Sequence, residues 1–286
     1  MVNKRYLDLQ VTPDTYVPET GINYPEDNPY ERLHKPVYDR KVVVDENYPF
    51  VDDSFRYRFN RWLNTTFTLY VGVNVFMHVK YGLRVEGREW LKKYKEQLRG
   101  GAISLGNHVY PLDAPTIMYA IGADRHTMIP MFAPNFSTKD QYMLTVVGGI
   151  PIPEPEAGLT ALKKFNEAFD EFHRRGYWFH IFPEAARWDF YKPLRPFKKG
   201  AFTMAYKYGM PLVPCVITYR PRTGIFKLFG KPTQPLWTIK IGEPIIPDTK
   251  APRKVEVERL RTEAHLRMEQ LAGIVKNSWP IVPEEE

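Results

Sequence analysis

The chain has 286 residues, of which 43% are apolar and 14% aromatic, so it can bury a sizeable core, and disorder throughout is excluded. Its 40 Lys and Arg residues exceed its 33 Asp and Glu residues, which gives a net charge of +7. This excess favours an anionic partner, such as a phospholipid surface, a phosphorylated small molecule, an acidic carrier protein or nucleic acid.

Several function classes lack their usual sequence signals. We find no zinc-ligand spacing, no P-loop and no dinucleotide-binding glycine pattern, and the basic residues form no single dense stripe. The sequence therefore predicts neither a metal site nor a nucleic-acid partner. The single cysteine, Cys215, lies in an apolar run, which excludes an internal disulfide framework and fits a reducing compartment. Because no apolar signal stretch opens the chain, we expect a cytoplasmic location.

Residues 1–51 are rich in Pro, Tyr, Asp and Glu and show no helical or strand periodicity. This composition predicts an irregular N-terminal arm, and its many aromatic residues suggest that the arm packs against the rest of the chain.

Residues 52–81 form a second region, in which a helix begins near Asp52, Asp53 or Ser54. No Lys, Arg, Asp or Glu occurs in the 18 positions from Trp62 to Val79, a length near the lower limit for a membrane span. Asparagine, threonine and histidine within this stretch are costly in hydrocarbon. Since arginines precede the stretch and a lysine follows it, one interpretation is an interfacial helix, or pair of helices, on an anionic membrane. The alternative is a helix packed in the core.

From residue 82 onward, short apolar runs alternate with helical patterns of about ten residues or more. The pattern predicts an α/β fold with a mostly parallel central sheet flanked by helices. We expect one domain over 82–250 and a C-terminal helix and tail over 251–286. The predicted strands are 101–108, 149–153, 177–182, 211–219 and 237–245, and the predicted helices are 111–123, 138–147, 156–176, 198–209 and 253–276.

Two polar motifs directly follow predicted strands, at the edge where parallel α/β sheets gather their functional loops. The first is NHVYPLD (107–113), in which Pro111 begins a helix. Asp113, in the first turn of that helix, could then reach back to the His108 ring, fix its tautomer and leave the other nitrogen free to accept a proton. The alternative is that Asp113 only caps the helix and His108 lies in a solvated loop. Since no G-x-S-x-G elbow is present, the activated hydroxyl would belong to a substrate.

At this point the sequence resembles the glycerolipid acyltransferase family, which includes 1-acyl-sn-glycerol-3-phosphate acyltransferases. Four blocks match the motifs of that family in order, from about residue 82 to residue 247: NHVYPLD (107–113), GGIPIP (148–153), FPEAAR (182–187) and LVPCVI (212–217). The resemblance implies a glycerol-3-phosphate acyltransferase-like fold. It also implies no bound cofactor, with acyl-CoA or acyl-carrier protein as co-substrate and a lysolipid acceptor.

The resemblance implies roles for several residues. His108 would be the general base on the acceptor hydroxyl and Asp113 its orienting group. Arg187 would hold the acceptor phosphate, and Glu184 would support acceptor binding and the loop geometry. Asn107 would either brace the turn at His108 or provide a polar donor to the substrate.

Basic residues cluster just downstream of Arg187. The functional interpretation is an electropositive, substrate-binding rim for the phosphates of coenzyme A or for an acidic carrier, and the alternative is a solvated charged loop. The cluster comprises Lys192, Arg195, Lys198 and Lys199. His126 and His180 fall on no family motif, and we expect structural roles for both.

The chain departs from the family pattern near the acceptor site. Ala185 and Ala186 replace the usual Gly-Thr, Pro153 and Glu154 follow the second motif where a basic residue is common, and FAPNF (132–136) lacks a common lysine. Unless Lys139, Lys192 or Arg195 replaces the missing charge, the acceptor site is less cationic than the family norm.

The leading hypothesis is transfer of a fatty acyl group to a lysophospholipid, with 1-acyl-sn-glycerol-3-phosphate as first choice, in phospholipid biosynthesis. We expect this enzyme to be peripheral or monotopic on the cytoplasmic face of a membrane. The alternatives are an acyltransferase for a non-phosphate lysolipid and a non-catalytic lipid-binding relative. The presence of both His108 and Asp113 argues against the last.

Overall fold

The centre of the molecule is a seven-stranded sheet, and a separate pair of short strands joins the two ends of the chain. This computed structural model describes residues 4–34, 37–38, 41–122 and 126–282, apart from the side chains of residues 68–70. The strands are β1 (Gln10–Val11), β2 (Arg84–Glu86), β3 (Ile103–Leu105), β4 (Thr127–Phe132), β5 (Gly149–Ile152), β6 (Trp178–Ile181), β7 (Leu212–Arg220), β8 (Leu236–Ile241) and β9 (Ile274–Lys276).

The central sheet has the strand order β2-β8-β7-β3-β6-β4-β5. Its neighbouring strands run parallel except for the antiparallel pair β7 and β8. The predicted α/β fold with a mostly parallel sheet is therefore confirmed. Strands β2 and β4, which the sequence patterns did not predict, complete the sheet.

Helices cover both faces of this sheet. They are α1 (Lys4–Asp8), α2 (Phe55–Leu63), α3 (Asn74–Tyr81), α4 (Arg88–Lys93), α5 (Asp113–Ile121), α6 (Gln141–Val146), α7 (Gly158–Arg174), α8 (Gly200–Tyr208) and α9 (Arg253–Ala272). Helix α2 is capped by Ser54, whose hydroxyl accepts a hydrogen bond from the backbone N–H of Tyr57 at 3.2 Å. Shorter 3₁₀ turns cover Ala133–Ser137, Pro155–Ala157 and Gly224–Leu228.

The hydrophobic core has two layers, one on each face of the sheet. Side chains of α7, α8 and α9 fill one layer and pack against Ile103 and Leu105 of β3. Side chains of α3, α4 and α5 fill the other, against alternate residues of β7. Alternation along β7 follows from the two-residue repeat of a strand. Because α9 contributes buried residues to the first layer, the C-terminal helix is part of the core that supports the sheet.

The two chain ends differ from their predicted structures. The C-terminal helix ends at Ala272 instead of Lys276, since Gly273 adopts a left-handed conformation (φ 70°) that ends a helix readily. The chain then forms β9, which pairs antiparallel with β1 in the predicted irregular arm. The partners of this pair lie more than 260 residues apart, so local periodicity did not reveal them.

Residues 55–81 are helical throughout, because a π-helical segment (Asn64–Val73) connects α2 and α3. Val73, Met77 and Tyr81 are buried in the core. Other apolar side chains of the region are exposed, namely Phe55, Phe59, Trp62, Leu63, Phe67, Val71, Val75, Phe76 and Val79. The region therefore combines core packing with an exposed apolar surface. Among the described residues, no helix is both long enough and apolar enough to cross a membrane.

Candidate active site

The loop between β3 and α5 begins with two residues that fix its position. A side chain at Gly106 would meet Ile117 Cδ1 at 2.7 Å and His180 Cε1 at 3.0 Å, so the close approach requires glycine. The Asn107 amide donates to the Ile217 carbonyl at 3.0 Å and accepts from the Ile217 N–H at 2.8 Å. Asn107 therefore braces the loop against β7, which is one of its two predicted roles, and its role as a substrate contact stays a prediction.

His108 and Asp113 form the arrangement that the sequence predicted. His108 Nδ1 lies 2.7 Å from Asp113 Oδ2, and Asp113 is almost completely buried, whereas 26% of the His108 side chain is exposed. The carboxylate also accepts backbone N–H groups of Val109 at 2.9 Å, Tyr110 at 3.2 Å and Ala114 at 2.7 Å. With Nδ1 held by Asp113, Nε2 is the ring nitrogen left to accept a proton from a substrate. The alternative of a freely solvated His108 is wrong.

The Phe182 ring contacts both His108 and His180, and the sequence analysis assigned no role to Phe182. The Phe182 ring stacks on His108 with centroids 4.1 Å apart, and it meets His180 edge-on at 4.5 Å. His180 is completely buried, with its Nδ1 2.9 Å from the Ser104 hydroxyl. Burial lowers the pKa of His180 to about 4, so its imidazole is neutral at pH 7. Its burial agrees with the expected structural role.

Glu184 connects the second motif loop to the first. Its Oε2 accepts the backbone N–H of His108 at 2.9 Å, and its Oε1 accepts the backbone N–H of Arg195 at 2.9 Å. Two further bonds join the loops, from Trp188 N–H to the His108 carbonyl and from Phe190 N–H to the Val109 carbonyl, both at 2.9 Å. Glu184 therefore has the loop-supporting part of its predicted role, and its 2% exposed side chain leaves little surface for an acceptor.

Lys192 and Arg195 do not form an exposed basic rim, and that prediction is corrected. Arg195 is 1% exposed and donates to Glu184 Oε2 at 3.0 Å, to the Pro29 carbonyl at 3.0 Å and to the Ala186 carbonyl. Lys192 is 4% exposed and its Nζ donates to the Ala272 carbonyl. Burial lowers the pKa of Lys192 to about 8. Both cations are bound to protein acceptors, so neither contributes to an exposed basic surface.

The other two cations of the cluster lie nearer the surface. Lys198 is exposed and lies 4.4 Å above the Tyr30 ring. Lys199 is half-buried and pairs with Glu258 at 3.5 Å. A solvated charged loop is therefore the better description of these two residues.

Arg187 is the partly exposed arginine of the second motif loop, with 30% of its side chain accessible. Its Nε donates to Asp189 Oδ1 at 3.0 Å, and Asp189 Oδ2 lies 3.2 Å from His34 Nε2. Within the described residues, no hydrogen-bond partner is found for the two terminal nitrogens of Arg187. One edge of the guanidinium is thus anchored, and the donors beyond that edge are available to a ligand.

The N-terminal arm packs beneath the same loop. Tyr24 donates to the Asp189 carbonyl at 2.6 Å, and the Trp188 indole donates to the Glu31 carbonyl at 2.8 Å. An aromatic cluster surrounds these bonds and comprises Tyr24, Trp188, Tyr191 and Trp279. The expectation that the arm packs against the chain is confirmed, although its position beneath the motif loop was not predicted. The aromatic composition of the arm was the only signal.

Together these groups equip the carboxyl ends of β3 and β6 for general base catalysis. The partly exposed His108 ring has a buried carboxyl partner on one nitrogen and no partner on the other within the described residues, the pattern by which an imidazole activates a hydroxyl. The described residues contain no group of three or more His, Cys, Asp or Glu that could hold a metal ion.

Comparison with known proteins identifies the class to which this site belongs. Residues 82–218 match the family model described as Acyltransferase, and this range contains both motif loops and most of β7. These residues belong to the acyltransferase family, so the predicted family membership is confirmed and acyl transfer is the reaction class of the domain.

Among solved structures, the chain is similar to the 1-acyl-sn-glycerophosphate (LPA) acyltransferase PlsC from Thermotoga maritima. The two share 21% identity with a TM-score of 0.46, over 78% of this chain and 84% of that chain. No curated protein matches the sequence.

Proposed function

We propose that the protein transfers a fatty acyl group from acyl-CoA or acyl-carrier protein to the hydroxyl of a lysophospholipid in phospholipid biosynthesis. The first-choice acceptor is 1-acyl-sn-glycerol-3-phosphate. The observation that carries this proposal is the 2.7 Å contact between His108 Nδ1 and the buried Asp113 carboxylate. It is combined with the match of residues 82–218 to the acyltransferase family model.

In the proposed reaction, His108 Nε2 removes the proton from the acceptor hydroxyl as its oxygen attacks the thioester carbonyl. The carbon–sulfur bond then breaks, and the imidazolium returns its proton to the leaving thiolate. The products are an ester and a free thiol, so the protein is unchanged and no acyl-enzyme forms. Asp113 keeps the proton on Nδ1 and stabilises the positive imidazolium between the two steps.

Arg187 is the proposed contact to the acceptor phosphate. A guanidinium presents several donors in a plane and binds phosphate through two parallel hydrogen bonds. Asp189 occupies Nε of Arg187, which orients the group and leaves the remaining donors for the ligand.

The ion pair between Arg187 and Asp189 also favours a second candidate function, in which the acceptor has no phosphate. The Asp189 carboxylate compensates much of the Arg187 charge, and Lys192 and Arg195 are buried away from the surface. A neutral lysolipid would need less positive charge than a phosphomonoester requires.

Two variants separate these functions. His108→Ala should lower the turnover of 1-acyl-sn-glycerol-3-phosphate by about 10²- to 10⁴-fold, with little change in thermal unfolding because the ring is partly exposed. Arg187→Ala should lower kcat/KM for that acceptor by about tenfold or more and leave a monoacylglycerol acceptor unaffected. Near-normal turnover of His108→Ala with every acceptor would overturn the mechanism, and equal losses of Arg187→Ala on both acceptors would overturn the phosphate contact.

We further propose that the enzyme works on the cytoplasmic face of a membrane as a peripheral or monotopic protein. The support is the exposed apolar surface of residues 55–79, among which Arg56 and Arg58 are also exposed. Apolar side chains embed in the interface while basic groups attract anionic lipid. Sedimentation with anionic vesicles should fall as salt rises but not vanish. Complete release by salt would contradict the apolar contribution.

A further inference from the structure

A cavity of about 640 Å³ lies far from His108, at the opposite end of the sheet. Its lining includes Thr127, the first residue of β4, and Tyr177, which directly precedes β6. Strands β4 and β6 run parallel, β6 also runs parallel to β3, and His108 follows the carboxyl end of β3. The cavity is therefore at the amino ends of the strands, and the transferase site is at their carboxyl ends.

One wall of the cavity is apolar and largely aromatic. Helix α2 and the π-helical segment contribute Trp62 with the hydroxyls of Thr65 and Thr66, while α5 and α7 contribute Met118 and Phe172. The volume falls within the range of about 300–1,000 Å³ that is typical of sites for small molecules. An alkyl chain is the ligand group that such a wall suits.

Neither of two arginines at the cavity forms an ion pair with a carboxylate of the described residues, although Asp52 and Asp53 also line it. Arg61 is half-buried, and its donors reach neutral acceptors: the Tyr57 hydroxyl at 3.1 Å, the Met128 sulfur at 2.8 Å and the Thr127 carbonyl at 2.7 Å. Arg58, one turn earlier on the same face of α2, is exposed and forms no ion pair with the described part of the chain.

A third arginine provides the contrast. Arg175 donates to both oxygens of Asp53, at 2.6 Å and 2.8 Å, and to Glu171 at 2.5 Å. These bonds are the main reason that the pKa of Asp53 is lowered, with a smaller effect from the charge of Arg58. Asp53 is paired with Arg175, and Asp52 accepts the Ser54 N–H at 2.8 Å. The lining therefore sets Arg58, Arg61 and Arg175 against two aspartates, and its net charge is positive.

We propose that this cavity binds a single-chain anionic amphiphile, with its alkyl chain against Trp62, Met118 and Phe172 and its head group at Arg58 and Arg61. The ligand class comprises molecules with one alkyl chain and one phosphate or carboxylate head. This site is separate from the transferase centre, and its occupancy needs no turnover. It also lies beneath α2, whose other apolar side chains are exposed, so such a ligand reaches it either from a membrane or as a free monomer.

Binding of monomeric dodecyl phosphate to the full chain, measured by calorimetry, tests the proposal. We expect saturable binding by the parent protein and by Arg187→Ala, because the cavity is remote from Arg187. Arg58→Gln should weaken binding about tenfold, as expected for one lost charge-assisted contact. The matched control Arg56→Gln, which removes a neighbouring exposed arginine outside the cavity lining, should not weaken it. In the Arg187→Ala background, which removes the proposed phosphate contact of the transferase site, Thr65→Trp, which fills the cavity, should abolish the remaining binding.

Different ligands complete the test. Dodecyltrimethylammonium has the same chain with a cationic head, and inorganic phosphate has the anion without a chain, so neither should bind measurably. Binding of Arg58→Gln and Arg56→Gln to anionic vesicles then distinguishes the two sources of the ligand. Weaker vesicle binding by Arg58→Gln than by Arg56→Gln indicates a membrane source, and equal vesicle binding indicates a free monomer. Equal weakening of dodecyl phosphate binding by the two arginine variants would overturn the proposal, as would its loss in Arg187→Ala or unchanged binding when Thr65→Trp is added to Arg187→Ala.

Discussion

The loops after β3 and β6 both contain charged motif residues, but they place them differently. In the first loop, the His108 ring is 26% exposed and its carboxylate partner is buried. In the second, both members of the Glu184–Arg195 ion pair are buried, at 2% and 1% exposure. The first loop presents a reactive group, whereas Glu184 of the second, paired with Arg195, holds the backbone of the first at His108 N–H. A charged residue within a motif therefore has a role that depends on whether its polar atoms are already occupied.

Asp113→Asn tests the first loop and should have the largest effect. An amide in place of the carboxylate no longer fixes the protonated Nδ1 of His108, so we expect kcat to fall by about 10⁴-fold, as for the equivalent change in a serine-protease triad. Steady-state kinetics of Asp113→Asn, His108→Ala and the double variant measure this. Because the two residues act as a unit, the double variant should be little slower than His108→Ala. If the activity loss of the double variant equals the product of the two single-variant losses, the residues act independently.

Arg195→Met tests the second loop. It leaves Glu184 buried without its cationic partner, and breaking a buried ion pair in this way costs about 3–5 kcal/mol of unfolding free energy. Urea denaturation measures the loss. Lys198→Met is the matched control, since Lys198 is exposed in the same loop, and its effect should stay within about 1 kcal/mol. Unchanged stability of Arg195→Met together with a raised KM for acyl-CoA would restore the substrate-binding interpretation.

His180 and His108 both contact Phe182 but differ in burial, which allows a finer comparison. Burial lowers the pKa of His180 to about 4, whereas the pKa of a histidine in the unfolded chain is about 6.5. The folded state therefore binds fewer protons between these values, and stability must fall as the pH is lowered through this window. From pH 7 to pH 5, His180 should account for a loss of about 2 kcal/mol.

The measurement is urea unfolding of the parent protein and His180→Gln at both pH values. We expect the variant, which lacks the titrating group, to lose about 2 kcal/mol less than the parent on acidification. A His180→Gln variant with the same pH dependence as the parent would show that other groups carry it.

The sequence predicted the parts of the site that depend on local spacing. Asp113 begins a helix directly after its loop, so the bond to His108 is nearly local, and the alternation of strands and helices predicted the parallel sheet. The roles of Lys192 and Arg195 were not predictable in this way. Their acceptors are the carbonyls of Ala272 and Pro29, which lie 80 and 166 residues away, and no local pattern distinguishes a buried cation from an exposed one.

The arm and the C-terminal strand illustrate the same limit. Strand β1 exists because β9 pairs with it, and Tyr24 is ordered by its contacts with Trp188 and Asp189. In both interactions, the two partners lie far apart in the sequence. Composition could indicate that the arm packs, but only the three-dimensional structure identifies the loop that it supports.

Ala185 and Ala186 provide the smallest and most local test of the second loop. Ala185 has a φ of 62°, whereas Ala186 is not among the residues with positive φ. The left-handed conformation costs a non-glycine residue about 1–2 kcal/mol, and glycine costs about 0.5–1 kcal/mol in lost chain entropy. Ala185→Gly should therefore stabilise the protein by up to about 1 kcal/mol, and Ala186→Gly should destabilise it by about 0.5–1 kcal/mol. Thermal or urea unfolding of the two variants measures these opposite signs. Destabilisation by both substitutions would mean that the Ala185 backbone is not strained, and that the methyl group contributes packing instead.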